Sequence, residues 1–168
     1  TISIGLALGL KFKKMDPVLM SYCGDGATNQ GAFYESLNFD DLRKLPIIFV
    51  CVNNLYGMGG QTMGETMGYG ILARLGAGGN PESMYSERVD GYNPLAVIDA
   101  FKRKKKLLEE KKGPVLLDTL TYRISGHSPS DASSYRSKEE IEAWQKEDSI
   151  VSYGNELTGA AIATQDQL

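Results

Sequence analysis

The chain has 168 residues, 42% of them apolar and 23% charged, with a net charge of −3. That length suits one domain, able to bury roughly 70% of its unfolded surface. The small net charge gives no footing for nucleic acid, and no apolar run approaches the roughly 20 residues that cross a bilayer. The two cysteines, Cys23 and Cys51, sit in apolar runs without metal-ligand spacing, so reduced thiols in a cytosol-like compartment are expected.

Ile2-Ser3-Ile4-Gly5-Leu6-Ala7-Leu8-Gly9-Leu10 opens on an apolar pattern already under way, with no cap ahead of it. Residues 17–23 and 46–52 are continuous apolar runs bounded by Pro, Gly or Asn, which predicts two buried strands. Between them, 28–44 carries Phe33 and Leu37 at helical spacing. Strand, helix and strand of these lengths form a βαβ unit, with parallel strands and a right-handed crossover. A glycine-rich stretch follows, with a helix expected over 69–75, a loop over 76–81 and a short strand over 88–91. Residues 94–112 predict a helix with Leu95, Ile98, Phe101 and Leu108 inward, and 114–122 a further strand. A polar loop over 123–136 leads to Ser137-Lys138-Glu139-Glu140, a capping box opening a helix through Trp144. Thr164-Gln165-Asp166-Gln167 is another such box, announcing a helix beyond it. This alternation predicts an α/β fold, a mainly parallel sheet with helices on both faces. The expected organisation is one partial domain over 1–168, truncated at both ends, with a motif core over 17–136 and a helical region over 137–168.

Ligands of parallel α/β sheets bind beyond the carboxyl ends of the strands. Gly24-Asp25-Gly26 follows the first predicted strand and Asn53-Asn54 the second, separated by the 26 residues 27–52. The topology brings both turns to one edge, which gains a carboxylate, two amides and bare backbone. Such oxygen donors suit Mg²⁺, which shares phosphate oxygens readily. Glycines beside Asp25 allow close approach, and a helix starting near Thr28 would aim free N–H groups at a phosphate.

Gly24-Asp25-Gly26 followed at this distance by Asn53-Asn54 resembles the thiamine-diphosphate motif. Asn53-Asn54-Leu55-Tyr56-Gly57-Met58-Gly59, Arg88-Val89-Asp90-Gly91 and Thr121-Tyr122-Arg123-Ile124-Ser125-Gly126-His127-Ser128 narrow the resemblance. Together they resemble the α subunits of 2-oxo acid dehydrogenases of the pyruvate, acetoin and branched-chain type, and the similarity covers about residues 4–150. The resemblance implies a thiamine-diphosphate-binding fold, with thiamine diphosphate and Mg²⁺ as cofactors. It assigns the metal to Asp25, the Asn54 side chain and the Tyr56 carbonyl, and the diphosphate to Gly24, Asp25, Gly26, Ala27, Asn54, Tyr56, Arg123 and His127. His127 is also the catalytic candidate. Asp131, Tyr135 and Arg136 match internal contacts of the loop, and Ser128 matches a serine phosphorylated in mitochondrial members. Implied partners are a β subunit in a heterotetramer, a lipoyl-bearing acyltransferase and a small 2-oxo acid. A glutamate of the β subunit and N-terminal residues of the α subunit complete such sites, so this chain alone is expected to be inactive. The implied location is cytoplasmic, or the mitochondrial matrix in a eukaryote.

Two features depart from the family pattern: Ser125-Gly126 ahead of His127, and a 131–135 segment one residue shorter than in some branched-chain members. Other readings of the residues stand beside this one. Asp25 between glycines suits a plain turn, and a thiamine enzyme without lipoyl transfer would carry the same paired turns. A Rossmann site would need G-x-G-x-x-G opening a helix after a strand, which is absent from the sequence. Lys102-Arg103-Lys104-Lys105-Lys106 is read as a solvated helix face, given Glu109-Glu110 at helical spacing.

Overall fold

The computed structural model describes residues 2–168 except Gly59, Tyr69 and Gly78. Four strands, β1 (Leu19–Gly24), β2 (Ile47–Asn53), β5 (Tyr85–Asp90) and β6 (Val115–Leu120), form one sheet in the order β1-β2-β6-β5. All three pairings are parallel. A two-residue pair, β3 (Tyr56–Gly57) and β4 (Gly60–Gln61), makes a small antiparallel hairpin beyond the end of β2. The helices are α1 (Ile2–Phe12), α2 (Gly31–Arg43), α3 (Thr62–Glu65), α4 (Arg74–Ala77), α5 (Pro94–Glu109), α6 (Lys138–Lys146) and α7 (Ser149–Gly159).

The side chains of β2 alternate between two cores, as a doubly covered strand must. Ile47, Phe49 and Cys51 join Leu116 in a core that Ala7, Ile4 and Leu8 of α1 and Leu37 and Phe33 of α2 cover. Ile48 and Val50 join Val89, Val115 and Leu117 under Ala100, Phe101 and Leu108 of α5. The predicted βαβ unit and two-faced sheet are thus present. Cys23 and Cys51, paired in register on β1 and β2, are free thiols with their sulfurs 3.3 Å apart.

Several expected elements shift. The predicted helix over 28–44 divides into a 3₁₀ turn, Gly26–Asn29, and α2, because Gln30 is extended between them. In α5, Leu95 and Ile98 are about half exposed, at 55% and 48%, rather than inward. Taking 100° per residue, Ala96, Val97, Ala100, Phe101, Leu107 and Leu108 share an arc of about 140° that excludes both. The small Ala96 and Ala100 let that arc settle on the sheet, and Leu95 and Ile98 are left outside it. The helix also stops at Glu109, where Lys111 turns left-handed at φ 57. Of the helix expected over 69–75 only α4 forms, overlapping the expected loop at 76–77; Tyr69 lies outside the described residues. Helix α7 lies within the region 137–168, and Asp148 caps it through Ile150 and Val151 N–H. Thr164 opens a 3₁₀ turn, Gln165–Gln167, and its N–H donates to Gln167 Oε1 at 2.8 Å.

Asp40 of α2 is wholly buried, and neither carboxyl oxygen has a hydrogen-bond partner among the described residues. Desolvation pushes its pKa up to about 7. The raised value means the folded state holds a proton that the unfolded state has released above pH ~4. Stability should therefore fall as pH rises from about 4 to about 7 and level off above that. Asp40→Asn should remove this slope and raise stability at pH 8 by roughly 2 kcal/mol, because an unpartnered amide costs less to bury than an unpartnered carboxylate. Denaturant melts of the intact protein across that range would check both the slope and its loss.

Candidate functional site

The parallel register places every carboxyl end of the sheet at one edge. Gly24 pairs with Val52, and both Asn53 and Asp90 pair with Leu120. Past the strands the chain keeps this alignment: Thr121 N–H donates to Asn53 O at 2.8 Å and Arg123 N–H to Asn54 O at 3.1 Å. Gly91 lies against β6 so closely that a Cβ there would stand 2.7 Å from the Leu120 carbonyl, which accounts for glycine after Arg88-Val89-Asp90.

Asp25 caps the 3₁₀ turn and is 2% exposed. Its Oδ1 accepts from Gly26 N–H at 2.9 Å and its Oδ2 from Thr62 Oγ1 at 2.7 Å. Each oxygen keeps a further lone pair, so the carboxylate is oriented without being saturated. After β2, Leu55 adopts φ 70, a left-handed conformation costly for a branched side chain. That kink turns the chain into β3, where Asn54 Oδ1 accepts a long 3.4 Å bond from Tyr56 N–H. The β3 backbone comes back to the first turn: a Cβ on Gly26 would lie 3.4 Å from Gly57 Cα. Glycine at 26 thus serves the approach of the two turns. Gly24 and Ala27 are exposed beside them.

Asn53 is corrected. Its amide was expected at the ligand edge beside Asn54, but it is buried and donates from Nδ2 to Asp118 Oδ1 at 2.9 Å. Successive residues of a strand face opposite ways, so adjacent asparagines at a strand end diverge. Asp118, wholly buried in β6, also accepts from Arg88 Nε at 2.8 Å and Ala73 N–H at 3.3 Å. Arg88 further donates to the Gly70 carbonyl. One carboxylate therefore joins β2, β5 and the loop leading into α4. The only sequence signal for it was an acidic residue inside the apolar run Val115-Leu116-Leu117-Asp118.

The loop after β6 supplies the cationic side. Arg123 Nη1 donates to Gly57 O at 3.0 Å and lies 3.0 Å from His127 Nδ1. A guanidinium only donates, so Nδ1 accepts and the ring proton sits on Nε2. Asp131 accepts from His127 N–H, Ser133 N–H and Tyr135 Oη at 2.7–2.8 Å. With the tyrosine hydroxyl foremost, these donors hold its carboxyl down at about 2. Arg136 lies over the rings of Tyr56, Tyr122 and Tyr135. Burial, followed by hydrogen bonding to Glu140, pushes the Tyr56 and Tyr122 hydroxyls above their ordinary range. Ser128 is exposed, its Oγ 3.1 Å from Ser130 Oγ. Thr62, Asp118, Tyr122 and Glu140 are thus parts of the site that sequence reasoning did not single out; an acidic residue in an apolar run was the available signal for Asp118, and Thr62, in a glycine-rich stretch, carried none.

The donor set at the edge is one carboxylate, one side-chain amide and main-chain carbonyls, and it fits a hard cation that keeps further positions for phosphate oxygen or water. Among the described residues no cluster of three His, Cys, Asp or Glu could hold a metal by protein side chains alone. A cavity of about 110 Å³ lies beside the site, lined by Asn53, Leu55, Thr62, Met63, Met67 and Leu72 among others. A larger one, about 660 Å³, lies at the amino ends of the strands, away from this chemistry.

Four parallel strands between helices, with a ligand edge of this composition, define the α/β thiamine-diphosphate-binding fold. A solved structure described as a thiamin diphosphate-dependent enzyme isolated from Mycobacterium smegmatis matches 72% of this chain and 21% of its own, with a TM-score of 0.56 and 20% identity. Residues 1–168 match the model of the family described as dehydrogenase E1 component, and the chain belongs to that family. It is 37% identical to the pyruvate dehydrogenase E1 component subunit alpha type II, mitochondrial, of Ascaris suum, over 99% of this chain and 42% of that protein. It is likewise 37% identical to the pyruvate dehydrogenase E1 component subunit alpha of Rhizobium meliloti, over 100% of this chain and 47% of that protein. The chain therefore spans less than half the length of these relatives.

Asp118→Ala would strand the Asn53 amide and leave Arg88 facing an apolar gap. The expected loss is about 2–3 kcal/mol, below the usual cost of breaking a fully buried pair because Arg88 keeps some solvent. Denaturant unfolding of the intact protein would measure it, and Asp118→Asn should lose less.

Proposed function

We propose that this chain is the part of a 2-oxo acid dehydrogenase α subunit that holds Mg²⁺ and the diphosphate of thiamine diphosphate, with pyruvate as substrate. The observation that carries this reading is the approach of the Gly26 and Gly57 backbones, with the oriented Asp25 carboxylate beside Gly26 and Asn54 in the turn leading to Gly57. Asp25, Asn54 Oδ1 and the Tyr56 carbonyl hold the metal. Backbone at Gly24, Gly26 and Ala27 would lie against the diphosphate, the Arg123 guanidinium would offset its charge, and His127 Nε2–H would donate to it. Asn53 serves the sheet instead of the ligand.

Bound here, thiamine diphosphate supplies the carbon nucleophile that decarboxylates a 2-oxo acid. The chain's own residues position it: Thr62 and Gly26 aim the Asp25 carboxylate, and Arg123 links the loop to the Gly57 carbonyl beside the metal position. A β subunit completing a heterotetramer and a lipoyl-bearing acyltransferase are the partners this function requires. Among the described residues no helix is long and apolar enough to cross a membrane. The place of action is the bacterial cytoplasm or, as for the relative whose name says mitochondrial, the mitochondrial matrix.

Asp25→Ala in the intact protein should weaken Mg²⁺-dependent thiamine diphosphate binding by roughly a hundredfold or more, since even outer contacts of metal sites are worth about 10–100-fold. Titration calorimetry with and without Mg²⁺, beside circular dichroism to confirm folding, reads this directly. Unchanged affinity in a folded variant would refute the assignment.

A further inference from the structure

Glu140 stands in the first turn of α6, at the position from which a capping box normally reaches back to the helix start. Half of that box is present: Ser137 Oγ accepts from Glu140 N–H at 3.1 Å. The reciprocal bond is replaced. Glu140 Oε1 accepts instead from two hydroxyls, Tyr56 Oη at 2.6 Å and Tyr122 Oη at 2.9 Å.

Those two rings meet edge to face, with centroids 5.7 Å apart, and Tyr135 lies 5.6 Å from Tyr56. The Arg136 guanidinium sits 5.2–5.7 Å from all three centroids and is 8% exposed. A cation so desolvated needs both the ring faces and hydrogen-bond acceptors. It finds acceptors in the Arg123 carbonyl, the Ile124 carbonyl at 3.4 Å and Ser133 Oγ at 3.0 Å. Arg136 thereby fastens the far end of the 123–136 loop to its beginning. Arg123 reaches on to the Gly57 carbonyl, one residue past Tyr56. The contacts close a circuit from Glu140 through Tyr56, Gly57, Arg123, Arg136 and Tyr122 back to Glu140.

We propose that Glu140 is a positioning residue: by holding the Tyr56 and Tyr122 hydroxyls it sets the tyrosine cage around Arg136, and so orders the loop that presents Arg123 and His127. Helix α6, which reaches the proposed metal position only through the Tyr56 side chain, becomes the element on which loop order depends. The connection to cofactor rests on the functional reading above; the ordering of the loop does not.

Trp144, the single tryptophan, makes this measurable. It stacks on Tyr122 with centroids 5.0 Å apart and planes at 7°. Loss of the cage should change its emission. Four variants of the intact protein separate the possibilities. Without cofactor, Glu140→Ala should raise tryptic cleavage after Arg123 and Arg136 by about tenfold or more, the weight of a charge-assisted hydrogen bond, and shift the Trp144 emission. Glu140→Gln keeps an acceptor oxygen for the hydroxyls and should stay within about threefold of wild type. Glu139→Ala, in the same turn but exposed, should change neither readout. Ser137→Ala loosens the α6 cap without touching the tyrosines and should have much the smaller effect. The proposal is overturned if Glu140→Ala leaves the loop protected, or if Ser137→Ala matches it, since general fraying of α6 would then explain both. With Mg²⁺ and thiamine diphosphate added, Glu140→Ala should bind about tenfold more weakly. Failure of the wild type to bind them would sink the functional reading, while the cofactor-free protease comparison would still decide the role of Glu140.

Discussion

Everything at the ligand edge depends on the in-register parallel ladder of β1, β2, β6 and β5. Parallel strands put all their carboxyl ends on one side, and helices return the chain to the other. Because Gly24 pairs with Val52 and Asn53 with Leu120, the turns that follow leave the sheet as neighbours. A slip of one residue would reverse which face each side chain of β2 meets and would turn Asp118 away from Asn53. The bonds of the buried Asp118 to Asn53, Arg88 and Ala73 hold against such a slip.

On that frame the site is assembled by backbone before side chains. The left-handed Leu55, the glycine-lined contact at 26 and 57, and the Thr62 bond to Asp25 place the donors with little freedom left to them. This suits the proposed site, where the reaction would be the cofactor's own and the protein part orientation and charge. The cations come from a different region, the loop after β6. Its order is local, through Asp131 and Arg136, and also borrowed, through Glu140 of a later helix. The proposed metal side and the cation side therefore meet at two neighbouring residues, Tyr56 and Gly57.

The carboxylates illustrate three uses of one functional group. Asp25 is oriented by two donors with capacity to spare; Asp118 is spent wholly on structure; Asp40 is buried with no partner among the described residues. Neighbours decide which use applies, and the chain order of the residues does not show them.

By itself the sequence determined the βαβ unit, the two-faced parallel sheet and the pairing of the turns after β1 and β2. Apolar runs bounded by Pro, Gly and Asn are local signals, and the topology of such units has little freedom. The capping residues Ser137 and Thr164 were legible for the same reason. Only the tertiary structure decided that Asn53 belongs to Asp118, that Thr62 steers Asp25, and that Leu95 and Ile98 lie outside the packed face of α5. It alone sent the Glu140 carboxylate away from its helix cap to two tyrosines, Tyr56 lying 84 residues distant along the chain. Hydrogen-bond partners at such separations follow from how elements dock, which periodicity cannot encode, whereas a strand or a cap is settled within a few neighbouring residues.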